Sequence, residues 1–257
     1  MDLTRSEQSS LLDSMLEMGE LLLDCGAEVS RVEDTLSRLG AAYGAARTDV
    51  FVIPSIISIS MEFAGEKALT ETRRIHSNGA NDFYRLEKLN TLSRGCCVEP
   101  LPVFELRSSL DAVAAGHKPL RVILGGSALA AFSFAVFFGG SIWDGLAAAV
   151  FALAICLLQE YLGRTELNTA AFNLVISLLI GLGVGLLAAL LPALHMDKIL
   201  IGDIMLLIPG LAMTNAVRNM LVGDTISGAV RLAESLIWAV ALASGFMIAL
   251  MIVRALF

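Results

Sequence analysis

Histidine and cysteine are scarce in this chain, three and four residues among 257. Their spacing excludes more than their number does. Cys25, Cys96, Cys97 and Cys156 form no C-x-x-C pair, and no histidine stands near them at ligand spacing. Neither a metal site nor a disulfide framework has a basis here. The cysteines read as reduced, buried, small hydrophobes. Basic residues are also few: 18 Lys and Arg against 25 Asp and Glu leave a net charge of −7. Nucleic-acid binding favours clustered Lys and Arg, so that function is excluded. No nucleophile elbow and no phosphate loop occurs, and no cofactor is implied. The opening MDLTRSEQSS is polar and has no apolar core of signal-peptide type. The first half is therefore expected to stay in the cytosol.

What the chain has instead is apolar residues, 56% of the total, at a mean hydropathy of +0.74. Charge is unevenly spread. Residues 1–118 hold 18 acidic and 12 basic residues, whereas residues 119–257 hold 7 and 6. The first part reads as a soluble domain of net charge −6, the second as a membrane domain of net charge −1.

The soluble part changes period along its length. Leu12, Met15, Leu16, Gly19, Leu22 and Leu23 form a helical stripe within residues 7–24. GAEVSRVEDTLSRLG repeats the pattern with Val29, Val32, Leu36 and Leu39, and Gly40 fits a helix stop. Glu28–Arg31 and Asp34–Arg38 have pairing spacing on the opposite face. Strict alternation then sets in over Ile57, Ile59, Met61 and Phe63, which is a half-buried strand. Pro54 separates it from a strand at 50–53 because proline cannot donate to a ladder. KALTETRRI reads as a third strand, and helices follow at about 80–97 and 103–115. The result is a small α+β domain. Its polar candidates are Glu28, Arg31, Glu33, Asp49 and His76. Glu28, Arg31 and Glu33 read either as a solvated helix face or as a gating surface for substrate. His76, beside Arg73 and Arg74, reads as a surface loop residue.

A helix needs about 20 apolar residues to span a bilayer. Five segments meet this, at about 120–140, 143–162, 169–191, 199–222 and 226–253. With the amino terminus inside, Lys118, Arg121, Arg164, Arg218 and Arg231 fall on the cytosolic side, and Lys198 and Arg254 outside. That distribution supports an inside amino terminus and an outside carboxyl terminus. The expected class is a membrane protein: a small cytosolic α+β domain, residues 1–118, followed by a five-helix transmembrane domain, residues 119–257.

The segment IPGLAMTNAVRNMLVGDTISG, residues 208–228, departs from a plain span. Pro209 lies ten residues into the fourth helix, about 15 Å at 1.5 Å per residue, near the middle of a core about 30 Å thick. Such a break is tolerated where protein or water satisfies the freed carbonyl, and broken helices at that depth build transporter sites. Asn215, Arg218 and Asn219 follow on one helix face. With Pro209, Gly210, Asn173 and Gly181 they are the candidates for a substrate pathway. Arg218 also reads as a residue snorkelling to the interface. Ser177, Gly181 and Gly185 also read as a small-residue packing face. Asp203 reads as a proton-coupling carboxylate or as an interfacial residue. Gly223 and Asp224 suit a tight helix–helix turn, the glycine ending one helix and the aspartate capping the next.

Taken together, CGAEVSRVEDTL, VFVIPSIISIS and IPGLAMTNAVRNMLVGDTISG resemble the threonine/serine exporter family, over nearly the whole chain. The resemblance implies export of small polar metabolites, driven by the proton-motive force, through a cytosolic domain followed by helical spans of the inner membrane. Many members carry a second, smaller helical module. The present chain looks more like the larger subunit of the two-component branch linked to succinate export. A small membrane partner and further copies of the chain are expected. The competing class is a membrane-anchored enzyme or sensor acting through residues 1–118, but an anchor needs only one or two spans.

Overall fold

The computed structural model describes residues 3–75, 82–116, 119–162 and 168–257. His76, Lys118 and Arg164 lie outside the described residues. The chain forms two compact units, Met1–His117 with Leu211–Leu232, and Lys118–Gly210 with Ala233–Phe257.

The first unit is mixed. It opens with α1 (Arg5–Asp24) and α2 (Val29–Ala42), then β1 (Arg47–Ile53), β2 (Ile56–Glu62) and β3 (Leu69–Arg74), then α3 (Phe83–Val98) and α4 (Val103–Ala115). Thr4 and Glu7 start α1 with a reciprocal capping box. The three strands form an antiparallel sheet in the order β1-β2-β3, with Val52 opposite Ile57 and Ile59 opposite Glu71. Alternation decides its faces. Ile57, Ile59 and Met61 are fully buried, while Ser58–Thr72 and Ser60–Thr70 hydroxyl pairs line the other face at 2.9 and 2.8 Å. The apolar face meets α1 and α2 through Leu11, Leu12, Met15, Leu16, Leu36 and Leu39, all buried. Each such side chain contributes about 1.5–3 kcal/mol on burial. Gly19 lets the helix approach the sheet: a Cβ there would stand 2.8 Å from Ile57 Cδ1.

Two details differ from the sequence reading. Helix α2 does not stop at Gly40 but runs to Ala42 and is closed by Gly44, whose φ of 89° is the left-handed cap. Gly40 is instead buried against the Thr48 side chain, where a Cβ would collide. Cys25, Cys96 and Cys156 are buried, whereas Cys97 is exposed. One residue on from Cys96 is about a quarter turn round the helix, which carries Cys97 out of the core.

The second unit contains α5 (Leu120–Phe137), α6 (Ile142–Leu162), α7 (Thr169–Leu190), α8 (Met196–Leu207) and most of α10 (Thr225–Leu256). Among the described residues, four helices are long and apolar enough to cross a membrane. They become five if α8 and α9 (Gly210–Leu221) count as one broken span. The break is local. Ile208 is extended and Pro209 follows, so α8 ends at Leu207 and α9 begins at Gly210. Small residues set the packing. Ala131, Ala135, Ala148 and Ala152 are fully buried, and a Cβ on Gly202 would stand 2.6 Å from the Ala131 carbonyl. Ser177, Gly181 and Gly185 of α7 face Gly245, Ala249 and Val253 of α10, two rows of matching four-residue steps. Large apolar side chains stay exposed, among them Phe137, Trp143, Val150, Ile237 and Met251.

Candidate functional site

The mixed unit gathers several of the polar candidates at the start of α2. Helix α1 ends at Cys25, and Gly26 turns the chain in the left-handed region. Glu28 takes the N-cap position of α2 but makes no capping hydrogen bond. Its carboxylate turns instead to α9: Oε1 lies 2.7 Å from Arg218 Nη1. Arg31 Nε stands 4.0 Å from Oε2, so one carboxylate sits between two guanidinium groups. Glu28 is 17% exposed and Arg218 56%. A partly exposed pair of this kind is worth about 1 kcal/mol or less. It is strong enough to orient two side chains and weak enough to open. Arg231 donates to the Ala27 carbonyl at 3.5 Å beside it.

A cavity of about 210 Å³ opens at this place. Leu22, Val32 and Leu86 supply apolar wall, while Glu28, Arg31, Thr35, Asn90 and Asn215 supply polar groups. Pockets for drug-sized ligands run to roughly 300–1,000 Å³, so this one suits a small metabolite. It offers both signs of charge together with hydroxyl and amide groups.

Glu33 lies on the neighbouring turn. It accepts a hydrogen bond from the Val52 amide at 2.9 Å. Burial pushes its carboxyl above the ordinary range and the charge of Asp224 adds to this, against the lowering effect of the Val52 bond. Asn219 is almost fully buried, and neither atom of its amide group has a hydrogen-bond partner among the described residues. The α9–α10 turn is tight. Gly223 has a φ of 103°, which disfavours any other residue, and Gly228 packs against the Ala216 carbonyl at 2.7 Å from a Cβ position.

Of the sequence candidates, Glu28, Arg31, Asn215 and Arg218 are thus brought together, with Glu33 and Asn219 in the same unit. Asn173, Gly181 and Asp203 belong to the apolar unit. Gly181 is at a helix contact, where a Cβ would stand 2.7 Å from Ala249 Cβ. Asn173 is 9% exposed, and Asp203 is fully buried with neither oxygen partnered among the described residues. Asp49 pairs with Arg47 at 2.8 Å on the exposed part of β1. Sequence reasoning missed Thr35 and Asn90, which carry no motif. It also missed Asp144 and His195, although S-I-W-D at 141–144 is a legible capping box. Among the described residues no group of three or more His, Cys, Asp or Glu stands together as metal ligands.

The profile of the ThrE family, threonine/serine exporters, matches residues 13–253. No curated protein and no solved structure gives a significant match.

Proposed function

We propose, because the chain belongs to the ThrE family of threonine/serine exporters, that it captures small zwitterionic amino acids at Glu28 and Arg218 and passes them outward. It is a multi-pass membrane protein of a transporter family. In this reading the mixed unit is cytosolic and the spans lie in the inner membrane.

The observation that carries the proposal is the 2.7 Å Glu28–Arg218 pair beside a cavity lined by Glu28, Arg31 and Asn215. A zwitterion can replace each half of that pair. Its carboxylate takes the place of Glu28 on the Arg218 fork, and its ammonium takes the place of Arg218 on Glu28. Charge is conserved through the exchange, and the pair given up is worth about 1 kcal/mol or less. Thr35, Asn90 and Asn215 are donors and acceptors for a side-chain hydroxyl. A dicarboxylate such as succinate fits less well, because Glu28 would repel its second charge.

Beyond capture, Pro209, Gly210, Asn173 and Asn219 are proposed to line the pathway, and Asp203 to carry a coupled proton. A buried carboxylate without partners is a functional candidate in a membrane segment. Gly181 serves packing in this reading. The exposed face of α5, where Gly125 and Gly126 meet nothing within 4 Å, is proposed to receive a small membrane subunit or a second copy.

The test is a charge-reversal cycle on the full chain. Glu28→Arg and Arg218→Glu are each expected to lower efflux of labelled threonine by about tenfold, equivalent to about 1.4 kcal/mol. The double reversal restores the pair and should recover most of the loss. Single reversals that export normally would sink the assignment.

A further inference from the structure

Asp144 is fully buried in the first turn of α6, yet it holds two separate loops. Its Oδ2 accepts from the Ser141 amide at 2.7 Å and the Ser141 hydroxyl at 2.8 Å. Its Oδ1 accepts from the His195 amide at 2.7 Å, and Oδ2 lies 3.0 Å from His195 Nδ1. The Ser141 contacts are a helix cap. The His195 contacts are not required by capping. They join the turn between α5 and α6 to the loop between α7 and α8. With Nδ1–H donating to the carboxylate, Nε2 is the acceptor nitrogen, and the imidazole is 62% exposed.

The charged surroundings are simple. Asp144 of α6 is the anion in contact. Asp197 and Lys198 in the first turn of α8 pair with each other at 3.2 Å. Arg254, exposed near the end of α10, is the charge α10 brings to this end, since its neighbour Val253 shares Gly185 with Met196. Eight residues along α8 from His195, about 12 Å at 1.5 Å per residue, stands Asp203, buried and unpartnered among the described residues.

We propose that His195, oriented by Asp144, is the site where a proton from the outer solution enters the exporter. Nε2 takes the proton from hydronium, leaving water, and the resulting imidazolium is balanced by the Asp144 carboxylate. An imidazole is the side chain whose charge ordinarily changes within the physiological range. The inference rests on the transport reading and its orientation, in which alternating spans put both joined loops outside.

The full chain, reconstituted in vesicles, decides the matter by two measurements. One is threonine efflux against external pH at fixed membrane potential. The other is threonine counterflow, an exchange that needs no net proton movement. Wild-type efflux is expected to rise as external pH falls, by up to about tenfold per pH unit, the limit for one bound proton. His195→Gln keeps a donor for Asp144. It is expected to make efflux insensitive to external pH while counterflow continues. Asp144→Asn removes the carboxylate that orients the ring and should weaken the dependence on external pH while counterflow continues. A wild-type profile in H195Q or in D144N overturns the site. Wild-type protein that neither exports nor exchanges threonine overturns the transport reading, and the site with it.

Discussion

Glu28 and Arg218 are separated by 190 positions, and each had a bland reading: one as a solvated helix face, the other as a snorkelling anchor. The fold brings the two side chains together at 2.7 Å. Local periodicity carries no sign of such a partner, because a pairing across the fold leaves no repeat. What was legible was the residue type, since an arginine and two asparagines on one helix face call for polar company. Glu33 gives this scale its own prediction. Its carboxyl binds a proton more tightly in the folded protein than at the ordinary value of 4.5, chiefly because it is buried. Its contribution to stability is therefore full below about pH 4.5 and is lost as pH rises through the raised folded value. Glu33→Gln stays neutral and its carbonyl still accepts from Val52. The variant is expected to melt higher than wild type at pH 7, with the gap shrinking toward pH 4. A gap that widens toward acid would contradict the burial argument.

The strands and helices were legible to different depths. Period-two alternation located β2 because one face of the sheet is buried and the other pairs hydroxyls. Helix ends were less legible, because Gly40 and Gly44 look alike in sequence. Only the fold shows that the first is a packing residue and the second a left-handed cap. The Pro209 break was legible because proline cannot continue a helix. The grouping of Leu211–Leu232 with residues 1–117 was not, since the segment is apolar enough to read as span. The small-residue row of α7 was legible as a close-packing face, but not its partner, which is α10 of the same chain. That contact distinguishes two glycines. Gly181→Leu drives a side chain into Ala249 and Phe246, and overpacking of this kind costs about 1–3 kcal/mol. Gly126→Leu meets open space and should change stability by less than about 0.5 kcal/mol, while weakening assembly if the α5 face binds a partner. Melting in detergent and cross-linking in membranes separate the two effects. Equal melting of both variants would contradict the packing account.

At the scale of the whole molecule, two readings have to agree: a mixed unit that captures substrate, and apolar helices that carry it across. The five basic residues assigned inside against two outside set the proposed orientation. A reporter active only in the cytosol, fused after Phe257, is expected to stay silent, and a strong signal would contradict an odd number of spans. The central claim is that an amino acid, not a dianion, exchanges with the Glu28–Arg218 pair. Cells producing the full chain can be loaded with labelled threonine, serine or succinate, and release followed over time. The account predicts release of threonine and serine that depends on the chain, with succinate retained. Chain-dependent release of succinate with threonine retained would contradict it.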